Sequence, residues 1–272
     1  MYCNKNSNFA QSGDLIQLSS NNHKSFLFQL EAGGVLETHR GIISHDDIIG
    51  SEWGTCVQSH TGKIFYLFQP CIDELIKTTK RNTQIIYPKD IGYILLKLNI
   101  FSGCEVIEAG SGSGALTQVL AIAVGESGSV TSYDVRKEMQ NLAVKNLKRL
   151  NLNGERVIFK NQNIENGFSE KEVDAIFLDL PNPYDYIPHV VQSLKSGGYF
   201  GTLLPTTNQI VKLLHVLRRY KIMHVEVSEI LIRHYQAISE KFRPKDRMVA
   251  HTGYLIFGRT TKQSKNQVSQ CE

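Results

Sequence analysis

At 272 residues, 41% hydrophobic and 21% charged, the chain has room for a full α/β domain and a smaller companion, with the composition of an ordinary globular protein. A net charge of +4 permits a polyanionic partner without requiring one, and no uninterrupted apolar run reaches membrane-spanning length. Five scattered cysteines, Cys3, Cys56, Cys71, Cys104 and Cys271, lack metal-site spacing, and Met1-Tyr2-Cys3-Asn4 begins no signal-peptide core; the expectation is a reduced, metal-free, cytoplasmic protein.

The first stretch reads as β structure. Between residues 14 and 70, short apolar runs alternate with turns: Phe26 to Leu30, Gly33-Gly34, Val35 to His39, Gly41, His45 to Gly50, Gly54 to Gln58, and Lys63 to Phe68 before Pro70. Strands this short and evenly spaced predict a small barrel or sandwich over residues 1–72. After Pro70 the period changes. Asp73 to Lys80 and Ile91 to Leu98 read as helices, the second opened by Tyr87-Pro88-Lys89-Asp90. Strands are then expected at 104–108, 129–134, 156–160, 174–179, 199–204, 223–231 and 251–258. Helices are expected at 115–124, 136–150, 185–194 and 207–220, where His215 lies amid Val211, Leu214 and Leu217 and reads as a packed residue. This alternation implies an α/β domain over 73–259, a parallel sheet covered on both faces and closed by an antiparallel hairpin. The tail 260–272, poor in apolar residues, is expected to be disordered.

The richest signal is Glu108-Ala109-Gly110-Ser111-Gly112-Ser113-Gly114, a glycine loop between a strand and an apolar helix. Glycine lets a nucleotide-like ligand press against bare backbone. Alone, the loop is ambiguous. Gly110-x-Gly112-x-x-Ala115 also fits a loose dinucleotide fingerprint, with Asp134 ending the next strand roughly 20 residues on. Two features separate the readings: the acid Glu108 ahead of the glycines, and Asp179-Leu180-Pro181-Asn182-Pro183-Tyr184 ending a later strand. Together they read as an S-adenosylmethionine (SAM) methyltransferase acting on a nitrogen of a flat base, built on a seven-stranded Rossmann-like sheet. A nicotinamide enzyme is disfavoured, because nothing supplies the acid and base for hydride transfer.

In an open parallel sheet, ligands sit beyond the carboxyl ends of the strands, which places the N–H groups of Gly110 to Gly114 on the cleft. SAM carries no phosphate, so the loop passes close to its methionine portion, with Glu108 accepting from the ammonium. Asp134 is placed to take both ribose hydroxyls. Asn163 follows the third strand; its amide oxygen can accept from the adenine amino group, and a plain turn role stays equally open. Methyl transfer is an in-line displacement that depends on positioning in a dry pocket. Asp179 is the expected catalytic residue, accepting a hydrogen bond from the exocyclic amine of the acceptor and offsetting charge on the alkylated ring. Pro181 and Pro183 stiffen that turn, and Tyr184 offers a face for stacking.

With these residues assembled, the chain resembles the tRNA adenine-58 N1-methyltransferase family of the bacterial and archaeal TrmI type, from about residue 14 to 259. The most specific stretches are Thr38-His39-Arg40-Gly41 with His45-Asp46-Asp47-Ile48-Ile49-Gly50, then Arg81 to Asp90, and Arg243-Pro244-Lys245-Asp246-Arg247-Met248-Val249-Ala250-His251-Thr252-Gly253-Tyr254. The resemblance implies methylation of adenosine N1 in the tRNA T-loop, by a homotetramer. It implies SAM contacts from Ser113, Gly114, Ala115 and Leu116, Asp134, Met139, Asn163 and Asp179, with Gln84 and Tyr87 walling the pocket. The sequence departs from the family pattern at Asp134, where glutamate is commoner, at Asn163 for aspartate, at Tyr184 for tryptophan, and at Ala250 for glycine.

The N1 edge is hidden in a stacked T-loop, so the nucleotide must be flipped outward and its backbone held by basic side chains. Lys80 and Arg81 precede the cleft, and Lys241, Arg243, Lys245 and Arg247 form a second basic run; Arg81, Arg243, Arg247 and His251 are the RNA-binding candidates, His251 being as well suited to packing. The alternatives are SAM-dependent methylation of another amino nitrogen such as adenine N6, and a non-catalytic tRNA-binding subunit. The second predicts a degenerate cofactor loop, which is not what Glu108 to Gly114 looks like.

Overall fold

Short strands build the amino-terminal part, β-strand alternation being clearest in the Ile64–Phe68 run, and the buried members form their own core. The computed structural model describes residues 7–20, 24–150, 152 and 156–269. It divides into two units, Met1–Thr79 with Lys145–Asn153, and Lys80–Val144 with Gly154–Glu272. The division falls at 79/80, past the 72/73 boundary expected from sequence.

In the first unit, β1 (Leu15–Ser19), β2 (Ser25–Gln29), β3 (Val35–Thr38), β4 (Gly41–Ser44), β5 (Cys56–Gln58) and β6 (Ile64–Phe68) precede helix α1 (Ile72–Lys77). Four strands form an antiparallel sheet in the order β2-β1-β6-β5, and β3 pairs with β4 as a separate hairpin. Phe65 and Leu67 of β6 point into a core with Ile16, Leu18, Leu30, Ile43 and Ile48, while Ile64 and Phe68 stay exposed, as the pleat requires. The His45-Asp46-Asp47 stretch is scaffold. His45 Nδ1 accepts the N–H of Glu31 at 3.1 Å and its ring stacks on Phe28 at 4.8 Å.

The second unit contains α2 (Pro88–Lys97), β7 (Glu105–Ala109), α3 (Ala115–Val124), β8 (Ser129–Tyr133), α4 (Lys137–Arg149, whose last turn groups with the first unit), β9 (Val157–Lys160), β10 (Val173–Leu178), α5 (Ile187–Ser193), β11 (Leu194–Leu204), α6 (Thr207–Arg219), β12 (Met223–Ser228), β13 (Tyr254–Arg259) and α7 (Lys262–Ser269). The sheet has seven strands in the order β12-β13-β11-β10-β7-β8-β9. Strands β7 to β11 pair in parallel, and β13 runs antiparallel to both β11 and β12. This is the Rossmann-like sheet expected from sequence. Chain direction across the sheet reverses between β7 and β10, so the crevice of an open α/β sheet lies at their carboxyl ends. Both strands are buried along most of their length, β10 as a nearly continuous apolar run.

Three expectations need correction. Strand β11 starts at Leu194, not 199, because Val173 pairs with Leu194 before the register shifts to Ala175 and Tyr199. His215 is exposed: Ile210, Leu213 and Leu217 define the buried stripe of α6, and position 215 falls on the opposite face. The expected disordered tail carries α7 instead. Ser264, fully buried, donates to Lys221 O at 2.9 Å and caps the turn by accepting from Thr261 N at 3.0 Å, while Lys265 pairs with Glu172. Small hydroxyl side chains anchor this helix where an apolar stripe was missing, so composition alone misjudged it. Residues 270–272 lie outside the described residues.

Candidate active site

Two cavities of about 380 Å³ each open at the carboxyl ends of the sheet strands, and one side chain, Asp179, lines both. Its position is fixed by backbone. Asp179 N–H donates to Ala109 O at 2.8 Å, continuing the β7–β10 ladder one residue past the strand. Gly110 crosses so closely that a Cβ there would sit 2.3 Å from Asp179 O, and its φ of +97° is one that L side chains rarely adopt. Only glycine fits both demands.

The first cavity is walled by Gly110, Tyr133, Asp134, Arg136, Gln162, Asn163 and Tyr186, beside Asp179 and Leu180. Asp134, just beyond β8, is 6% exposed. Its Oδ2 accepts Gly112 N–H at 3.0 Å and its Oδ1 accepts Arg136 N–H at 2.9 Å. The Arg136 guanidinium closes on the same carboxylate, Nε at 3.2 Å from Oδ1 and Nη2 at 3.3 Å from Oδ2. Asn163 caps a single 3₁₀ turn, its Oδ1 accepting Glu165 N–H at 3.1 Å. Loss of hydration raises the Asp179 carboxyl to about 6; Arg136 pulls it down and Asp134 pushes it up.

Glu108 lies under the loop, 1% exposed, and lines neither cavity. Its Oε2 accepts from Thr117 Oγ1 at 2.6 Å and Ser132 Oγ at 2.5 Å, and Ser132 Oγ lies 2.6 Å from Ser111 Oγ. The side chain thereby ties the glycine loop to α3 and β8. Burial pushes its carboxyl up to about 8, against the pull of the two hydroxyls.

The second cavity is walled by Gln84, Tyr87, Asp90, Leu203, Pro205, Val249, His251 and Thr252 beside Asp179. Pro88 at the first position of α2 starts the helix without an unmet N–H, and directs Asp90 inward, where it is fully buried. Lys89 Nζ donates to both Asp90 oxygens, at 2.8 and 3.0 Å, and to Thr252 Oγ1 at 2.5 Å; Thr252 in turn donates to Asp90 at 2.8 Å. His251 places Nδ1 2.7 Å from Glu229 Oε1 and Nε2 3.1 Å from Pro205 O. Both partners accept only, so both ring nitrogens donate, and the Glu229 hydrogen bond raises the imidazole pKa accordingly.

A model of the tRNA methyltransferase complex GCD14 subunit matches residues 63–243, and a TrmI-like N-terminal model matches residues 9–57. The chain belongs to the TrmI-type tRNA (adenine-58-N1)-methyltransferase family. Among its relatives, a Methanocaldococcus jannaschii tRNA (adenine(57)-N(1)/adenine(58)-N(1))-methyltransferase TrmI is 35% identical, over 82% of this chain and 86% of that protein. The crystal structure of the tRNA (m1A58) methyltransferase TrmI from Aquifex aeolicus is 39% identical with a TM-score of 0.80, covering 94% of this chain and all of that one. A Thermotoga maritima structure described as a SAM-dependent O-methyltransferase is 41% identical with a TM-score of 0.87, covering 95% and 97%.

Against this family's pattern, the structure brings Gly110, Asp134, Asn163 and Asp179 to one cavity. It sets Gln84 and Tyr87 in the other cavity, beside Asp179. Ser113, Ala115, Leu116 and Met139 are at most 4% exposed and, like Gly112 and Gly114, line neither cavity. Gly114, at φ 79°, is the N-cap of α3. Tyr184 packs on the core beneath Lys212, 5.7 Å above its ring, and Tyr186 supplies the cavity's aromatic wall instead, because the 3₁₀ turn Pro183–Tyr186 rotates the two apart. Arg81, Arg243 and Arg247 are exposed, and Arg243 pairs with Asp246 at 2.9 Å. Sequence reasoning missed Asp90, Thr252, Arg136 and Tyr186. The first two lay inside quoted stretches, but only the fold shows that residues 90 and 252 meet.

Proposed function

We infer that this protein transfers a methyl group from SAM to N1 of adenosine 58 in the T-loop of tRNA. The observation carrying this reading is the sharing of Asp179 by two cavities, one suited to a cofactor and one to a base. The cofactor cavity fits SAM. Two carboxylates and a single guanidinium line it, a wall that suits a cationic sulfonium and a ribose diol and is poor for a diphosphate. The cradle at Gly110, which any Cβ would fill, leaves bare backbone against the ligand. Asp134 would hold the ribose, and Gln162, Asn163 and Tyr186 the adenine end. When bound, SAM supplies an electrophilic methyl carbon.

The chain's own residues do the rest. Tyr87, Leu203 and Val249 give the second cavity apolar surface for a flipped purine, and Asp179 accepts from its exocyclic amine. That carboxylate, ionised above pH about 6, steadies the positive ring that N1 alkylation creates. Glu108 positions the loop and does not touch the cofactor. Arg81, Arg243 and Arg247 belong to the RNA footprint in this reading, holding phosphates of a cytoplasmic tRNA, while His251, with both ring nitrogens already engaged by Glu229 and Pro205 O, shapes the wall of the second cavity. The exposed Met223, Val225 and Val227 of the edge strand β12 support assembly as a homotetramer, because such a strand is normally covered.

Incubation with an unmodified tRNA transcript and SAM, followed by nucleoside digestion and mapping, is expected to give 1-methyladenosine at position 58. N6-methyladenosine or a ribose-O-methyl product overturns the assignment. Asp179→Ala is expected to retain SAM binding and lose roughly 10²–10³-fold in turnover; full turnover removes Asp179 from the chemistry.

A further inference from the structure

Arg136 occupies a position that the established roles leave unexplained. Asp134 receives its guanidinium on both oxygens, at 3.2 and 3.3 Å, in addition to the N–H groups of Gly112 and Arg136. The carboxylate is almost wholly enclosed, whereas the arginine side chain is 47% exposed and free to turn into solvent. Arg136 also lines the cofactor cavity together with both acids, and its charge draws down the Asp179 carboxyl across that space. A cation therefore stands where two negative groups would otherwise face each other through an open cavity.

We propose that Arg136 is an internal competitor for the cofactor's ribose: its two-point contact on Asp134 must open for the ribose diol to be accepted there, and re-forms as the nucleoside product leaves. The proposal rests on the assignment of this cavity to SAM. A diol needs the lone pairs that Nε and Nη2 now take, so the two contacts exclude each other. Four donors meet a carboxylate with about four lone-pair sites, and of these only the side-chain pair can withdraw. Arg136 thereby lowers the affinity for every ligand carrying that ribose. In exchange, the emptied acid is never left without a counter-charge, and product release is helped by a group already tethered two residues away.

Isothermal titration of wild type, Arg136→Met and Arg136→Lys with SAM and with S-adenosylhomocysteine tests this. Arg136→Met keeps the stem and the backbone N–H while removing the fork. It is expected to bind both ligands roughly two- to fivefold more tightly, the range for releasing a half-exposed ion pair, with slower dissociation in stopped flow. Arg136→Lys, which keeps the charge without the fork, is expected to fall between. Weaker binding of both ligands by Arg136→Met would show that the arginine contacts the cofactor, and overturns the proposal. Unchanged affinity overturns it too. Tightening of SAM alone reduces Arg136 to a distant charge acting on the sulfonium, and also overturns it. Failure of the wild type to bind either ligand defeats the cofactor reading itself, a result separate from the other three.

Discussion

Replacing Glu108 by glutamine should remove most of a pH dependence built into the stability of this protein. The carboxyl titrates near 4.5 when unfolded and at about 8 in the fold, where it is buried. Between those values the unfolded chain has released a proton that the native protein retains, so stability falls as pH rises. Glu108's stabilisation is complete below about pH 4.5 and gone above about pH 8, and at 1.36 kcal/mol per pH unit the loss totals about 5 kcal/mol. Glutamine is neutral throughout, and its amide oxygen can accept from Thr117 and Ser132 as Oε2 does. Thermal unfolding of both proteins from about pH 5 to pH 9 should therefore give diverging curves. The wild type should lose roughly 10–20 °C relative to Glu108→Gln across the range, at a few degrees per kcal/mol. Asp179, also raised, contributes in the same direction to both proteins and cancels in the difference. Parallel melting curves would refute the idea that Glu108 is held neutral beneath the loop.

Two further substitutions probe the walls. Gly110→Ala forces a Cβ to within 2.3 Å of Asp179 O at a φ of +97°, so calorimetry should show SAM affinity reduced at least ~10²-fold; wild-type affinity would mean that the crossing is slack. Asp90→Ala strips the carboxylate from Lys89, whose side chain is 8% exposed, and should destabilise by about 3–5 kcal/mol, whereas Thr252→Val should cost about 1–2 kcal/mol in denaturant titrations. Equal losses in the two would contradict a dominant role for the ion pair.

Much of the catalytic unit was legible because its signals are local. The apolar run Ala115 to Val124 between two glycines predicts α3 at its observed bounds, and the acids Asp134 and Asp179 reveal themselves by ending strands. The site's division into two cavities was not legible. Gln84 and Tyr87 precede α2, and whether they face the cofactor or the acceptor depends on the path of a chain that meets Thr252 only after folding. Glu108 is a related case: that Thr117 and Ser132 bond it from inside depends on α3 and β8 meeting β7 in the fold. The amino-terminal strands were recognisable as short apolar runs evenly spaced by turns, but which of them share a sheet depends on pairings such as β1 with β6, far apart in sequence.

Apart from Asp179, the two chambers draw their walls from separate stretches of chain, residues 109–110, 133–136, 162–164 and 180–186 on one side and 84–90, 203–205 and 249–252 on the other. On the assignment proposed above, mutational drift in the second set can reshape the receiving site while the methyl-donor site stays as it was. A lineage built on this frame is therefore free to change its target molecule without relearning how to hold its reagent.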